Sequence, residues 1–443
     1  MSVELLTEEG GKPIEISLAQ SSAHSLILGK TGSGKSVLAA AMLIYALIYG
    51  MPVAVLDVVK PDGTGSFSTL AAQIGGSYRN LQAGGNPLEP PDLRNRSDKD
   101  WDEQMMLHKE AVGGLILSMV SLDGLGTDLA PALVHKALSI FYSDRASVER
   151  CWNPLFDAEI GTQVWSNQPN LKNLVELFSP EILDDEQNYG DKAREICSQI
   201  RLQLDGWLQR PIGQSFCKPR DYRDDVLFVV YPLQSLHSDE APVIAQRILI
   251  EVTRNTLKSQ NSVAFFDEIP VLIQHVPIAS TIARLISTGR KQGNRVILAS
   301  QGPEPLANSP FGAQILDNIP LKLTGVIEPS AVESFKRIFG YPHELILPCS
   351  ERGFYPSRQG IYSRWLVDRS GLLTPARFYP NYLLLALTAN QPDEMAARHR
   401  LLHEHFPDDP TRAMNAFAHL LSKSFKSGEP IQSVVDNWLL AKA

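Results

Sequence analysis

The sequence has few cysteines, no excess of basic residues and no long uninterrupted apolar run. Its four cysteines are scattered over 443 residues and none falls in a Cys-x-x-Cys pair, which argues against a disulfide framework and a zinc-cysteine site. The net charge of -8 argues against a surface coated with basic residues for nucleic acid, so any DNA contact has to be local or shared between subunits. A reducing compartment fits this composition best.

The sequence also lacks a recognisable secretion signal. Its first residues, MSVELLTEEGGKPIEI, are acidic and have neither a basic start nor an apolar core. The longest apolar stretch, residues 37–59, is divided by Gly50 and Pro52, and we predict a buried helix and a buried strand there rather than a membrane span. We therefore predict a cytoplasmic protein, which a partner would have to bring to any membrane.

Apolar strands alternate with helical segments on both sides of a long helical stretch. Strands are predicted at residues 25–28, 53–59, 226–231, 263–266, 296–300 and 321–324, and hairpins around Gly10-Gly11 and Arg369-Ser370-Gly371. This alternation favours an α/β fold with a mainly parallel central sheet covered on both faces. Residues 97–215 have a helical pattern and are interpreted as an inserted all-helical subdomain. The α/β domain is assigned residues 1–96 and 216–390, and a helical tail residues 391–443.

The stretch GKTGSGKS, residues 29–36, matches the pattern G-x-x-x-x-G-K-[ST] between a predicted strand and a predicted helix. Its glycines let backbone N–H groups wrap around phosphates, and the helix N-terminus adds a positive partial charge. In this pattern Lys35 reaches the β and γ oxygens and Ser36 ligates magnesium. We predict that ATP and Mg²⁺ bind here, with the nucleotide contacted by Gly29, Lys30, Thr31, Gly32, Ser33, Gly34, Lys35 and Ser36.

Two further predicted strands end in polar residues. Asp267 and Glu268 follow strand 263–266; Asp267 is predicted to hold the magnesium and Glu268 to polarise the attacking water. Capping of the following helix is the alternative for this pair. Gln301 follows strand 296–300. In P-loop ATPases that carry a Glu after the metal-binding Asp, this next strand usually lies between the phosphate-loop strand and the Asp strand, so we expect Gln301 to face and sense the γ-phosphate. The alternative for Gln301 is a hydrogen bond to loop backbone.

A group of basic residues precedes that last strand: Arg284, Arg290, Lys291 and Arg295. An arginine there can reach a nucleotide held by the neighbouring subunit of a ring, where its guanidinium stabilises the charge of the transferring phosphoryl group. We favour Arg290 for this catalytic role. A solvated or sheet-edge side chain, or contact with DNA phosphates in a central pore, are the alternatives.

Other candidate residues carry weaker signals. Asp57 and Lys60 are expected near the phosphate loop. For Asp57 we favour a helix cap or a local ion pair. The alternative is that Asp57 orients a loop or holds a metal-bound water. His399 and His403 have a spacing that a metal can use, yet Arg400 stands where a zinc protease carries its glutamate. We predict a solvated tail helix there.

These motifs together resemble the HerA/FtsK superfamily, and within it the VirB/TraC-type ATPases of type IV secretion and conjugation systems. The likeness is carried by GKTGSGKSVL, VAVLDVVK with the later GSF, NPLE, FFDE, STGRKQGNRVILASQGPE and FYPNYLLLALTANQPDEMAARHRLL. The resemblance implies a RecA-like P-loop NTPase fold with a helical insertion. It also implies hexamer formation and ATP hydrolysis that powers channel or pilus assembly or substrate transfer.

The resemblance further implies partners among the type IV secretion components at the cytoplasmic face of the inner membrane. These ATPases usually carry a large N-terminal domain, whereas residues 1–24, which precede the phosphate-loop strand here, are too few for a second core. Two other functions share the motif set. One is a double-stranded DNA translocase of the HerA/FtsK kind, and the other is an oligomeric scaffold that is gated by nucleotide but turns over little.

Overall fold

A single large sheet runs through the protein. The computed structural model describes residues 2–17, 24–59, 65–81, 84–122, 125–183, 190–222, 226–234, 240–289, 291 and 293–441. The strands are β1 (Ser2–Glu8), β2 (Pro13–Ser17), β3 (Ser25–Leu28), β4 (Val53–Val58), β5 (Ser77–Tyr78), β6 (Phe228–Leu233), β7 (Val263–Phe266), β8 (Arg295–Ser300), β9 (Leu321–Thr324), β10 (Ser363–Arg369) and β11 (Leu372–Phe378).

The helices fall into three groups along the chain. The first two are α1 (Lys35–Ile48) and α2 (Ser68–Gln73), followed by α3 (Asp98–Met119), α4 (Leu125–Tyr142), α5 (Arg145–Asp157), α6 (Gln163–Ser166), α7 (Leu171–Glu176), α8 (Pro180–Leu183), α9 (Gly190–Leu208) and α10 (Pro211–Ser215). The remainder are α11 (Ala241–Lys258), α12 (Ile269–Ile273), α13 (Val276–Gly289), α14 (Glu304–Ala307), α15 (Gly312–Asp317), α16 (Val332–Phe339), α17 (His343–Ile346), α18 (Tyr382–Thr388), α19 (Pro392–Arg400), α20 (Pro410–Ser427) and α21 (Ile431–Leu440).

The strand order is β2-β1-β11-β10-β9-β3-β8-β7-β4-β6-β5. The seven strands from β9 to β5 are mutually parallel, whereas β10, β11, β1 and β2 add an antiparallel extension at one edge. The mainly parallel sheet and both hairpins predicted from the sequence are confirmed. Because parallel strands present their carboxyl ends at one edge, the residues that follow β3, β7 and β8 are brought together there.

The sheet is covered on both faces, as its alternating side chains require. Ile27 and Phe265 belong to one apolar core, which also contains residues of α1 and of the C-terminal helices. Their neighbours Leu26 and Phe266 belong to a second core on the other face, with residues of α11 and α13. The apolar stretch 37–59 is thus a buried helix and a buried strand, as predicted, and among the described residues no helix is both long and apolar enough to cross a membrane.

The strand whose bounds differ most from the prediction is β6. β6 was expected at residues 226–231, but it covers Phe228–Leu233 and therefore includes Pro232. Proline cannot donate a hydrogen bond to a neighbouring strand. The edge strand β5 pairs only with Val229 and Val230, so no β5 partner lies beside Pro232 and the strand continues through it.

Helices α3–α10 cover the residues for which the sequence predicts a helical insertion, a division of the chain that stays a prediction. They surround a third apolar core, to which Val243 and Ile250 of α11 also contribute. Five buried charged residues lie where this insertion meets α11. The Glu89 carboxylate accepts hydrogen bonds from Arg220, one at 2.8 Å, and Glu251 pairs with Arg247 at 2.6 Å and with Arg254. We call these five residues the buried ion cluster. Glu89 belongs to the NPLE segment, so that segment helps to join the insertion to the sheet.

Candidate nucleotide-binding site

The phosphate loop lies between the end of β3 and the start of α1. Gly29, Gly32 and Gly34 have φ values of 151°, 81° and 93°, which side chains with a Cβ rarely adopt. A Cβ on Gly29 would also lie 2.7 Å from Ser33 Oγ. The glycines are therefore required by the shape of the loop, which explains the spacing seen in the sequence.

Neighbouring strands hold the loop in place. The Gly29 N–H donates to the Ser300 carbonyl at 3.1 Å, and the Lys30 N–H donates to the Val326 carbonyl at 2.7 Å. The loop is therefore fixed between the end of β8 and the segment after β9. The Ser33 hydroxyl is buried and has no hydrogen-bond partner within the described part of the chain, a donor that a phosphate oxygen can satisfy.

Lys35 is buried at the first position of α1, although lysine is normally exposed. Its Nζ donates to the Gly29 carbonyl at 2.5 Å. Burial lowers the pKa of the Lys35 ammonium, and the nearby carboxylates of Glu268 and Asp267 act in the opposite direction. The Lys35 side chain therefore reaches back to the first residue of the loop and lies near the acid pair.

The acid pair follows β7. Asp267 is buried, and burial together with the charges of Asp57 and Glu268 raises its pKa to about 7. Glu268 is half-buried and has a φ of 45°, a left-handed conformation that costs a non-glycine residue about 1–3 kcal/mol and is concentrated at functional sites. The Glu268 N–H donates to Asp267 Oδ1 at 3.0 Å. The two carboxylates are thus placed differently, one enclosed and one partly exposed.

Gln301 meets this pair from the adjacent strand. β8 lies between β3 and β7, as the sequence predicted, and Gln301 Nε2 donates to Glu268 Oε2 at 3.4 Å. Gln301 is itself exposed. Residues from three separate parts of the sequence, the phosphate loop, FFDE and ASQ, therefore meet at one edge of the sheet.

Asp57 ends β4 beside the acid pair and is fully buried. Its Oδ2 accepts the Phe67 N–H at 3.2 Å. Phe67 is the N-cap residue of α2, so the Asp57 carboxylate holds the chain at the start of that helix. Lys60 lies outside the described residues.

The basic residues around α13 have different environments. Arg284 pairs with Glu110 of α3 at 2.6 Å, so it ties the helical insertion to the α/β domain. Arg295 is buried at the start of β8 and donates to the Gly293 carbonyl at 2.8 Å, at the opposite end of the strand from Gln301. Arg290, the residue favoured for contact across a subunit boundary, lies outside the described residues.

Sequence reasoning did not identify the residues that surround the phosphate loop from the C-terminal half. Lys30 Nζ pairs with Glu328 at 2.9 Å and lies 4.8 Å from the centre of the Tyr355 ring. Trp365 of β10 is buried behind the loop, and its indole N–H donates to Ser363 Oγ at 2.8 Å. Lys30 and Glu328 are 298 residues apart in the sequence, so no local pattern could have indicated that pair.

The arrangement fits a magnesium-nucleotide complex. Asp267 and Glu268 place negative charge beside Lys35. The pKa of Asp267, raised by burial and by the charges of Asp57 and Glu268, marks a carboxyl group whose charged form a cation would stabilise. Among the described residues no three potential ligands of the His, Cys, Asp or Glu type converge closely enough to hold a metal. Mg²⁺ commonly binds one or two protein carboxylates and completes its shell with phosphate oxygens and water, so Asp267 is the carboxylate that could hold it here.

The histidines of the tail lie apart from this site. The rings of His399 and His403 are 4.3 Å apart, and the second belongs to a π-helical turn, Leu401–His405. Arg400, which lies between these histidines in the sequence, pairs with two carboxylates: Asp436 at 2.5 Å and Glu404 at 3.8 Å.

The parallel sheet, the glycine-rich loop and the acid pair define a P-loop NTPase fold of the RecA-like class. Residues 1–56 match the family model of the FtsK/SpoIIIE family. The fold is similar to the structure of VirB4 of Thermoanaerobacter pseudethanolicus, with a TM-score of 0.58, 17% identity and coverage of 88% of this chain and 97% of that one. No curated protein matches the sequence significantly.

Structures of a bacterial conjugative coupling protein, TrwB, are more distantly similar. The unbound form has a TM-score of 0.49 and 14% identity, covering 85% of this chain and 88% of that one. A complex of TrwB with the non-hydrolysable GTP analogue GDPNP has the same score and identity, with 86% and 90% covered. These likenesses are too weak to bear on function, and the similarity to VirB4 concerns the fold.

Proposed function

We propose that the chain is a Mg²⁺-dependent ATPase that powers a type IV secretion or conjugative transfer apparatus, through channel or pilus assembly or substrate transfer. The observation that carries the enzymatic part is the hydrogen bond between Gln301 and Glu268 beside the phosphate loop. In this proposal Gln301 senses the γ-phosphate and Glu268 polarises the attacking water. A protein that only binds phosphate does not require such a pair. The motif resemblance to VirB/TraC-type ATPases and the VirB4-like fold support the biological setting.

Each residue then has a distinct part. The backbone N–H groups of residues 29–36 and the Lys35 ammonium bind the phosphates, and Ser36 and Asp267 would hold the magnesium. Bound Mg²⁺ would neutralise charge on the β- and γ-phosphates. Glu268 accepts a proton from the attacking water, and Gln301 orients that water and the γ-phosphate.

The active form is proposed to be a homo-oligomer, a hexamer on the family pattern. Arg290 is proposed to reach the nucleotide of the adjacent subunit, where a guanidinium stabilises the transferring phosphoryl group. The partners would be other type IV secretion components, which hold the ATPase at the cytoplasmic face of the inner membrane. DNA contact, if it occurs, is local, because the chain has 49 acidic and 41 basic residues.

The test is the rate of MgATP hydrolysis measured over a range of protein concentrations that spans ring assembly. The wild type should hydrolyse ATP with a specific activity that rises with concentration, and Lys35→Ala should abolish this activity. Lys336→Ala, which removes an exposed lysine paired with Glu333 on α16, is the matched control and should leave the rate unchanged.

The same assay separates the two competing functions. Stimulation by duplex DNA that weakens as salt rises would favour a DNA translocase. Oligomers that change size with ATP while the protein shows negligible turnover at every concentration would favour a nucleotide-gated scaffold. Either result would reject the proposed function in favour of the competing one. If the wild type and the Lys35→Ala variant hydrolyse ATP equally well, the assignment of the phosphate loop as the active site is wrong.

A further inference from the structure

The steps proposed for hydrolysis use the backbone of Lys30, the second residue of the phosphate loop, but not its side chain. The Lys30 Nζ donates to Glu328 Oε1 at 2.9 Å and lies 4.8 Å from the centre of the Tyr355 ring. The Tyr355 hydroxyl and the Glu328 carboxylate raise the pKa of the Lys30 ammonium, so this side chain stays charged at neutral pH. The loop is therefore tied by a charged side chain to two segments of the C-terminal half.

The two lysines of the loop have different surroundings. The carboxylates that act on Lys35 are those of Glu268 and Asp267, where hydrolysis is proposed to take place. Lys30 is instead engaged by the segment that follows β9 and by the segment that precedes β10. The Lys30 ammonium thus has partners of its own, apart from the acid pair.

The segment that follows β9, residues 325–328, runs along the phosphate loop. The Lys30 N–H donates to the Val326 carbonyl at 2.7 Å. A Cβ on Gly325 would lie only 3.3 Å from the Ser33 Cβ, so the two stretches of backbone are in close contact. The ion pair of Lys30 extends this contact from the backbone to the side chains.

The partners of Lys30 stand on parts of the chain that are themselves held in place. Val326 and Ile327 are each 1% exposed, and the Ile327 N–H donates to the Cys349 carbonyl at 3.0 Å. Tyr355 follows directly on a 3₁₀ turn, Arg352–Phe354. A support that is anchored in this way can restrict the motion of the loop that it contacts.

We propose that Glu328 and Tyr355 are positioning residues, which hold the phosphate loop in its nucleotide-binding shape by fixing the side chain of Lys30. Without them the loop spends less time in that shape, and the apparent affinity for nucleotide falls by the same fraction. Bound phosphates hold the loop themselves, so the hydrolysis rate of the complex does not change. For its nucleotide the proposal rests on the proposed function.

A direct electrostatic role of Glu328 would have the opposite sign. Its carboxylate repels phosphates, and it also competes with them for the ammonium of Lys30. If Lys30 acted by binding phosphate, removal of the Glu328 charge would tighten ATP binding. If Glu328 positions the loop, the same change weakens ATP binding.

The experiment measures equilibrium binding of Mg-ATP and steady-state hydrolysis. Glu328→Gln and Tyr355→Ala should each weaken ATP binding by about threefold to tenfold, as expected for loss of a half-exposed ion pair or a cation–π contact, with kcat unchanged. Glu328→Asp, which keeps the carboxylate, should bind ATP more tightly than Glu328→Gln. The matched control is Glu333→Gln, which removes an exposed carboxylate paired with Lys336 at 2.8 Å and should change neither quantity.

A double-mutant cycle tests whether Glu328 acts through Lys30. Glu328→Gln should weaken ATP binding in the wild-type background and have a smaller effect in a Lys30→Met background, because the ammonium that it positions is gone. Equal losses in the two backgrounds would overturn the proposal. Tighter ATP binding in Glu328→Gln, or a lower kcat with unchanged affinity, would overturn it as well.

Hydrogen exchange on the nucleotide-free protein tests the shape of the empty loop. Residues 29–34 should exchange faster in Glu328→Gln than in the wild type, and no faster in Glu333→Gln. Equal exchange in Glu328→Gln and the wild type would overturn the proposal. Failure of the wild type to bind ATP would reject the proposed function, and the exchange measurement would still decide whether Glu328 holds the loop.

Discussion

Gln301 Nε2 donates a hydrogen bond to Glu268 Oε2 at 3.4 Å, and this contact joins the carboxyl ends of the neighbouring strands β8 and β7. Neither side chain is enclosed, since Gln301 is exposed and Glu268 is half-buried. The pair can therefore rearrange around a phosphate and a water without opening the core.

Replacing Gln301 by alanine should lower kcat for ATP hydrolysis by about ten- to a hundredfold, because the water loses a positioning group while the phosphates keep theirs. The KM should change little. Steady-state kinetics on Gln301→Ala, with Gln314→Ala on the exposed face of α15 as control, checks this. A raised KM with unchanged kcat would show that Gln301 contributes only to binding.

The backbone of the phosphate loop provides a second prediction. Gly34 has a φ of 93° and Gly50 a φ of 71°, so alanine at either position should cost about 1–3 kcal/mol of stability through backbone strain. Only Gly34→Ala should also weaken ATP binding, because Gly50 follows α1 at the end remote from the loop. Urea unfolding and ATP titration of both variants check this. Equal ATP affinity in the two variants would contradict the placement of phosphates on the loop.

His108 predicts a pH dependence of the helical insertion. His108 is buried, and its Nε2 lies 3.0 Å from the Tyr142 hydroxyl. That hydroxyl donates its own proton to the Leu88 carbonyl at 2.7 Å. His108 therefore carries its proton on Nε2 and donates it to the Tyr142 oxygen. Burial and the charge of Arg254 lower the pKa of His108 to about 3 from 6.5. The unfolded chain therefore binds a proton that the folded chain excludes between these two values.

The contribution of neutral His108 to the free energy of unfolding is complete above pH 6.5 and is lost as the pH falls toward 3. At pH 5.5 the free energy of unfolding should already be lower by about 1.4 kcal/mol. Four of the six tryptophans lie within residues 97–215, so urea unfolding followed by fluorescence at pH 7.5 and pH 5.5 reports this region. His108→Phe should reduce the acid sensitivity and exposed His419→Gln should not. The same acid sensitivity in His108→Phe and the wild type would refute the assignment.

The buried ion cluster should make a large contribution to stability at the junction with α11. Glu89→Gln leaves Arg220 without its buried countercharge, which typically costs about 3–5 kcal/mol. Asp92→Asn breaks a pair with Arg94 in which both side chains are about one-third exposed, 36% and 34%, and should cost less than about 1 kcal/mol. Unfolding free energies of the two variants check this, and similar losses would show that the Glu89 pair contributes no more than a surface one.

The sequence predicts the part of the site that depends on local patterns. The strand, glycine turn and helix at residues 25–48, and the acids that end β7, follow from short-range periodicity and turn chemistry. The position of β8 between β3 and β7 came from the order typical of this class of ATPase, and the structure confirms it.

What the sequence could not show depends on contacts between distant segments. Lys30 meets Glu328, and Arg284 pairs with Glu110 of the helical insertion, although nothing near either residue in sequence suggests its partner. A cavity beside Gly34 is likewise lined by Val37 of α1 and by Phe425 of α20, near the C-terminus. Such pairings follow from the packing of whole helices on the sheet, which local patterns do not specify.

The most direct test of the central claim is to measure ATP binding and ATP turnover on one sample of Glu268→Gln. The side chain keeps its size and a hydrogen-bonding oxygen but loses the basic carboxylate. The role assigned to Glu268 predicts ATP affinity close to that of the wild type, with Mg²⁺-dependent turnover reduced at least about a hundredfold. Turnover at the wild-type rate in Glu268→Gln, at protein concentrations where the wild type is active, would contradict it.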